Sequence, residues 1–335
     1  MYERFYGLRE RPFDLTPNPR FLFLTRQHQE ALTHLQCGIS QRKGITMVLG
    51  PAGTGKTTLI RAALANYAGT NARCVYLNNP TLTRDEFVQM LASGFELSDE
   101  ASRSKAALLL ELETKLRERQ ASGVVTALIV DEAQALSDEL LEEVRLLVNF
   151  ETDTDKLLPV VLVGQDELAT RLSDPACSAL KQRIALRCEL MPLTATETAQ
   201  YVAARVRIAG GVPAQLFTRE AIDLIYERSA GIPRAISVIC DNALVNGFAV
   251  EQRPVNQKLI LEVCRDFDFG DGSAATPVAR VATVRETPAA EPHANGNGTS
   301  ELASVAPAAS ESTASERQLF GVFDRSLRSW FSRSS

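Results

Sequence analysis

The chain has 335 residues, a hydrophobic fraction of 45% and a formal net charge of -5. That length supports one substantial domain and a smaller one, and the mildly acidic balance excludes a uniformly basic nucleic-acid binder while leaving room for local positive surfaces. No apolar run approaches the roughly 18 residues that span a bilayer, and the charged residues 1–10 contain no signal-like apolar region, so the expected location is cytoplasmic. Six cysteines, at 37, 74, 177, 188, 240 and 264, are too dispersed to form a CxxC pair or a metal cluster with the three histidines. They read as reduced thiols.

Residues 1–24 interleave Phe5, Phe13, Phe21 and Phe23 with Pro12, Pro17 and Pro19. This pattern suits an ordered lead-in packed across a domain, not a long helix. Leu32, Leu35 and Ile39 then follow helical spacing within 26–41. Residues 1–44 are therefore assigned as a lead-in and helix packed on the core. From 45 to 193, strand patterns at 45–49, 73–77, 124–130, 158–163 and 184–190 alternate with helical patterns near 57–68, 83–92, 104–121, 137–149 and 166–171. Such alternation implies an α/β domain with a mostly parallel sheet covered on both faces. Over 194–267 the strand signal disappears, and helices are expected near 195–209, 218–229, 233–247 and 256–265. Gly210-Gly211 and Gly231-Ile232-Pro233 divide them.

The composition changes at about residue 268. Residues 268–316, rich in Ala, Ser, Thr and Pro, are expected to form a disordered linker. Within 317–333, Leu319, Phe323, Leu327 and Trp330 share a helical face, supported by Phe320 and Phe331, with Arg317, Arg325, Arg328 and Arg333 supplying positive charge. This reads as a tethered amphipathic helix. A membrane surface, a protein groove, the chain's own core domain and no stable partner are all open for it.

The segment Gly50-Pro51-Ala52-Gly53-Thr54-Gly55-Lys56-Thr57-Thr58 lies between a predicted strand and a predicted helix. In that setting backbone N–H groups cradle phosphates, Lys56 neutralises them, and the Thr57 hydroxyl joins the shell of a bound Mg²⁺. A second apolar run ends in Asp131-Glu132, 75 residues beyond Lys56. Alone, that pair also suits the solvated start of a helix. Beside a phosphate loop, Asp131 is placed to hold Mg²⁺, directly or through water, and Glu132 to orient or deprotonate an attacking water. Gln165 and Asn78 follow strand runs, where they serve either as γ-phosphate sensors or as cap and turn residues. Arg183, before a predicted strand, suits a phosphate contact, including one on a neighbouring subunit, or a surface ion pair. Arg234 follows Gly231-Ile232-Pro233 at a predicted helix start, facing either nucleotide or an interface ion pair.

Taken together, the sequence resembles the AAA+ ATPases of the ExeA/GspA group, found in secretion pathways and at exosortase and exopolysaccharide loci. The resemblance covers residues 1 to about 265. It rests on the opening Met1-Tyr2-Glu3-Arg4-Phe5-Tyr6-Gly7-Leu8 with Pro12-Phe13 and Thr16-Pro17-Asn18-Pro19, then His28-Gln29-Glu30-Ala31-Leu32. Further matches are Leu146-Leu147-Val148-Asn149-Phe150-Glu151-Thr152, Val163-Gly164-Gln165 and Gln182-Arg183-Ile184. It implies a P-loop NTPase with a three-layer αβα AAA+ core at 45–193 and an all-helical lid at 194–267. It also implies Lys56 and Thr57 in Walker A, Asp131 and Glu132 in Walker B, and Gln165 near sensor 1. Arg183 is implied as an arginine finger acting in trans, Arg234 as the sensor-2 arginine, and Asn78 as a restraint on Glu132. The implied cofactors are ATP and Mg²⁺. The implied activity is ATP hydrolysis coupled to ring or filament assembly of a homo-oligomer working on a protein partner in an envelope secretion or exopolysaccharide system. Related members carry a transmembrane segment and a peptidoglycan-binding module after the ATPase; here 268–316 and 317–333 stand in that place, with peripheral contact at the inner membrane as one role. An ATP-dependent DNA-binding regulator resembling transposition ATPases and an ATP-controlled assembly scaffold are the alternatives.

Overall fold

The computed structural model describes residues 1–16, 18–67, 71–78 and 81–269. Five strands, β1 (Ile45–Leu49), β2 (Ala72–Leu77), β3 (Val125–Val130), β4 (Val160–Val163) and β5 (Ile184–Glu189), form a parallel sheet in the order β2-β3-β4-β1-β5. The main helices are α1 (Arg26–Ser40), α2 (Lys56–Tyr67), α3 (Arg84–Phe95), α4 (Lys105–Ala121), α5 (Asp138–Leu147), α6 (Asp166–Arg171), α7 (Ala195–Ile208), α8 (Arg219–Ser229), α9 (Pro233–Ala249) and α10 (Gln257–Asp266). Capping boxes at Thr83/Glu86 and Thr194/Glu197 start α3 and α7, each side chain satisfying a backbone donor of the other's turn.

Successive strand side chains point to opposite faces, so the apolar runs feed two cores. Met47, Leu49, Leu128, Val130, Val160 and Leu162 pack under α3–α6. Val48, Ala127, Ile129, Val161 and Val163 pack under α1 and α2. The resulting three layers hold the carboxyl ends of β1, β3 and β4 side by side. The phosphate loop, Asp131, Glu132 and Gln165 hang from those ends.

A third core belongs to α7–α10, where Val202, Ile225, Ile239, Leu244 and Ile260 are buried together. Here the structure corrects an expectation. The aromatic lead-in does not pack on the sheet; Tyr2, Tyr6, Leu8, Phe13 and Phe21 join this helical core instead. Tyr6 OH donates to Gln252 O at 3.2 Å, and Arg9 N donates to Ala209 O at 2.8 Å. The Arg205 guanidinium lies 5.2 Å from the Phe21 ring and 5.1 Å from the Tyr201 ring and donates to Pro12 O at 3.1 Å. The physical reason is size: a unit of about 70 residues buries little apolar surface alone, and the lead-in adds large rings to it. Within residues 1–44, α1 packs on the sheet through Ala31, Leu35 and Ile39.

Smaller differences concern boundaries. The stretch before α4 is a separate short helix, Asp99–Arg103, because Ser98 and Ser104 each cap a new start. Another short helix, Pro213–Leu216, separates α7 from α8. The linker and amphipathic helix expected at 268–316 and 317–333 lie outside the described residues, apart from 268 and 269. Among the described residues, no helix is long and apolar enough to cross a membrane.

Candidate functional site

The loop from β1 to α2 places Lys56 in the first helical turn, almost wholly buried. Its Nζ donates to Gly50 O at 2.7 Å and Pro51 O at 3.0 Å. Burial lowers the ammonium below the usual lysine range, and the carboxylates of Glu132, Asp131, Asp166 and Glu167 oppose that shift. A buried cation partnered by loop carbonyls at a helix start is an arrangement that suits an anion. Gly53 has φ +82, and a Cβ there would sit 2.9 Å from Arg234 Cβ and 3.0 Å from Ile232 Cγ2. Only glycine lets the loop pass this close to the helical unit.

Asp131, at the end of β3, is buried beside this loop. Its Oδ2 accepts from Thr57 Oγ1 at 2.8 Å and from Tyr76 OH at 2.6 Å, while Oδ1 accepts from Glu132 N at 3.0 Å. Burial first, and then Asp131, pushes the Tyr76 hydroxyl up, so Tyr76 acts as a donor here. Thr57 and Asp131 thus meet as hard oxygen donors next to a buried cation, a set that suits Mg²⁺ delivered with phosphates. The chemistry of these donors fits Mg-ATP.

Glu132 follows with left-handed backbone, φ 53 and ψ 37, unusual for a residue with a side chain. Its Oε2 accepts from Gln134 Nε2 at 2.6 Å and from Gln165 Nε2 at 3.3 Å. Gln165 thus reaches the Glu132 carboxylate from the end of β4. Asn78 is exposed at the end of β2, and among the described residues no hydrogen bond joins it to Glu132. The two glutamines hold the carboxylate in its place.

The two arginines part company. Arg234 N donates to Gly53 O at 3.2 Å, so the start of α9 abuts the phosphate loop. Arg183 precedes β5, and its carbonyl accepts from Ile45 N at 3.2 Å, at the amino end of the sheet. A strand of β1's length separates it from its own loop by about 16 Å. It therefore cannot serve its own chain's phosphates. Its Nε is buried without a hydrogen-bond partner among the described residues.

Sequence reasoning missed the other flank of the crevice. Phe21, Phe23, His28, Thr58, Tyr201 and Pro233 line a small cleft beside the loop. His28 is buried, with Nδ1 2.7 Å from Thr25 Oγ1 and Nε2 3.3 Å from Thr54 O. Burial lowers its imidazole below the usual histidine range, against the opposing bond to Thr54. The only early signals were the aromatic run and a histidine in a recognised motif. Neither shows that the lead-in reaches the phosphate loop.

Comparison with known proteins places this geometry. A family model described as an AAA domain matches residues 39–172. The general secretion pathway protein A of Aeromonas hydrophila is 39% identical over 249 residues, covering 74% of this chain and 45% of its own length. The chain thus spans less than half of that curated relative. Among solved structures, Cdc6p from Pyrobaculum aerophilum aligns with a TM-score of 0.60 at 19% identity, over 76% of this chain and 70% of that one. Drosophila ORC bound to DNA aligns with a TM-score of 0.57 at 23% identity, over 76% of this chain and 63% of that one. At these identities the structural neighbours show the fold: an α/β core with a smaller helical lid.

Proposed function

The chain is an AAA+ ATPase related to the general secretion pathway ATPases of the GspA/ExeA type, and from that premise we propose that it hydrolyses Mg-ATP in the crevice between sheet and lid, as a homo-oligomer working on a protein partner in envelope secretion or exopolysaccharide assembly. The observation that carries this reading is the contact of Thr57 with Asp131 beside the buried Lys56, because it joins the phosphate loop and the second motif into one site. Lys56 and the loop N–H groups bind the phosphates, and Thr57 with Asp131 would hold the Mg²⁺. Held there, Mg²⁺ would supply neutralisation of charge on the phosphate oxygens. Glu132 orients water and takes its proton, with Gln165 fixing the carboxylate. The cleft at Phe21, Phe23 and His28 takes the base, excluding water from one side. Arg234, on the lid, senses the nucleotide through Gly53.

Arg183 supports the oligomer. It sits at the far end of the sheet from its own site, half-buried and incompletely bonded, near a groove lined by Asp138, Leu141, Glu142, Arg171, Cys177 and Leu180. Its charge is felt at Glu142. Such a face suits a neighbouring copy whose nucleotide Arg183 completes. The test mixes Arg183→Ala subunits with Lys56→Ala subunits, each inactive alone. Mixed interfaces that pair an intact Lys56 with an intact Arg183 are expected to regain phosphate release. Verified mixed assembly without any regain would refute the trans role. DNA is the second reading, supported by the ORC neighbour solved on DNA; ATP-dependent binding to duplex over a salt series is its check.

A further inference from the structure

The Glu132 carboxylate is held more elaborately than hydrolysis motifs by themselves require. Its backbone turns into the left-handed region, and the next residues, Ala133–Ala135, make one short 3-10 turn. That turn swings Gln134 back so that its Nε2 donates to Glu132 Oε2 at 2.6 Å. The other end of the same amide, Gln134 Oε1, accepts from Gln165 N at 3.2 Å. Gln165 Nε2 closes the triangle on Glu132 Oε2 at 3.3 Å. The backbone of the turn is pinned too: Arg171, on α6, donates to Gln134 O at 2.8 Å and Leu136 O at 2.6 Å, and pairs with Asp138. Space is reserved for the arrangement. A Cβ on Gly164 would lie 3.0 Å from Gln134 Oε1 and 2.8 Å from Leu168 Cδ2. Among the described residues no hydrogen bond reaches Glu132 Oε1.

We propose that Gln134 is the positioning residue for Glu132: its amide fixes Oε2, leaves Oε1 free for water, and locks the carboxylate to Gln165 so that the β3 and β4 ends present the base as one unit. This rests on the reading that Glu132 takes the proton from water. This role differs from the restraint that the family resemblance implies for Asn78, which lies exposed at the end of β2. A short charge-assisted bond of this kind is among the stronger ones a neutral side chain makes. It acts on orientation, so its loss should appear in turnover and not in nucleotide affinity.

The test uses the full-length protein, with ATP turnover and binding of a fluorescent ATP analogue measured side by side. Gln134→Glu keeps the length and the acceptor facing Gln165 N but replaces the donor with a carboxylate. Turnover is expected to fall by about tenfold or more, as loss of a hydrogen bond to a charged group implies, with KM and analogue binding within about twofold. As pH falls, a proton on the introduced carboxyl restores a donor, so activity relative to wild type recovers. Gln134→Ala shows the same loss without that recovery. Added to Glu132→Gln, either substitution costs nothing further, because the two residues act together. Wild-type turnover in both Gln134 variants, while Glu132→Gln abolishes it, overturns the inference and leaves the hydrolysis reading standing. Loss of analogue binding in both overturns it in favour of a structural role. Wild-type turnover in Glu132→Gln overturns the hydrolysis reading itself.

Discussion

The two flanks of the crevice are built by different means. On the phosphate side, Lys56, Thr57, Asp131 and Glu132 come from short contiguous motifs fixed to central strands, and the contacts join charged and polar atoms. On the other side, Phe21, Phe23 and His28 line a cleft with Tyr201 and Pro233 of the helical lid; the Phe23 ring meets Tyr201 edge-on, Phe21 lies under the Arg205 guanidinium, and His28 bonds Thr25 and Thr54. The phosphate side is carried by buried, parallel-paired strands. The other side is a seam between two cores, joined at Gly53 and Arg234. On the proposed function, a nucleotide bound at the phosphate loop would be coupled to the lid through this seam. Damage to the first flank should stop chemistry, whereas damage to the second should weaken affinity and uncouple the lid.

The largest effect expected is on the phosphate side. Lys56→Ala should lower turnover by about 100-fold or more, on the scale of deleting one preorganised charge stabiliser, with phosphate release as the measurement and the melting curve confirming a folded chain. Activity that survived would erase the distinction between the flanks. At the seam, Gly53→Ala forces both a left-handed alanine and a contact of 2.9 Å with Arg234 Cβ. About 1–3 kcal/mol of stability should be lost, and the stabilisation of the melt by ATP should shrink. An unchanged melt would show that loop and lid are apart in solution.

The smallest effect belongs to His28. Burial depresses its folded-state titration below the usual 6.5, so the unfolded chain takes up a proton first. The sign follows: its stability contribution is full above pH 6.5 and is lost as pH falls toward the folded value. His28→Asn should therefore flatten the loss of stability on mild acidification, read by denaturant midpoints across pH. Identical slopes for wild type and variant would place His28 outside the buried seam.

What could be read from sequence follows the same division. The five strands were visible because buried parallel strands are continuous apolar runs, and the phosphate loop because its chemistry is local. Helix ends were less legible: α3 runs on to Phe95 because Glu96 supplies the left-handed cap, a conformation its residue type does not announce. The destination of the lead-in was hidden, since Phe21 pairs with Arg205 across the chain. Gln134 was hidden for another reason. Its bond to Glu132 depends on the left-handed turn at Glu132, which no glycine signals. Contacts within a motif are legible; contacts made by a seam or a strained turn are not.

The most direct check of the account is a paired measurement on Glu132→Gln: equilibrium ATP binding and single-turnover phosphate release on the same preparation. Binding is expected within about twofold of wild type, and release slower by about 10²–10⁴-fold, the usual contribution of a positioned base. Phosphate release at the wild-type rate, with ATP bound, would contradict the assignment of hydrolysis to this crevice.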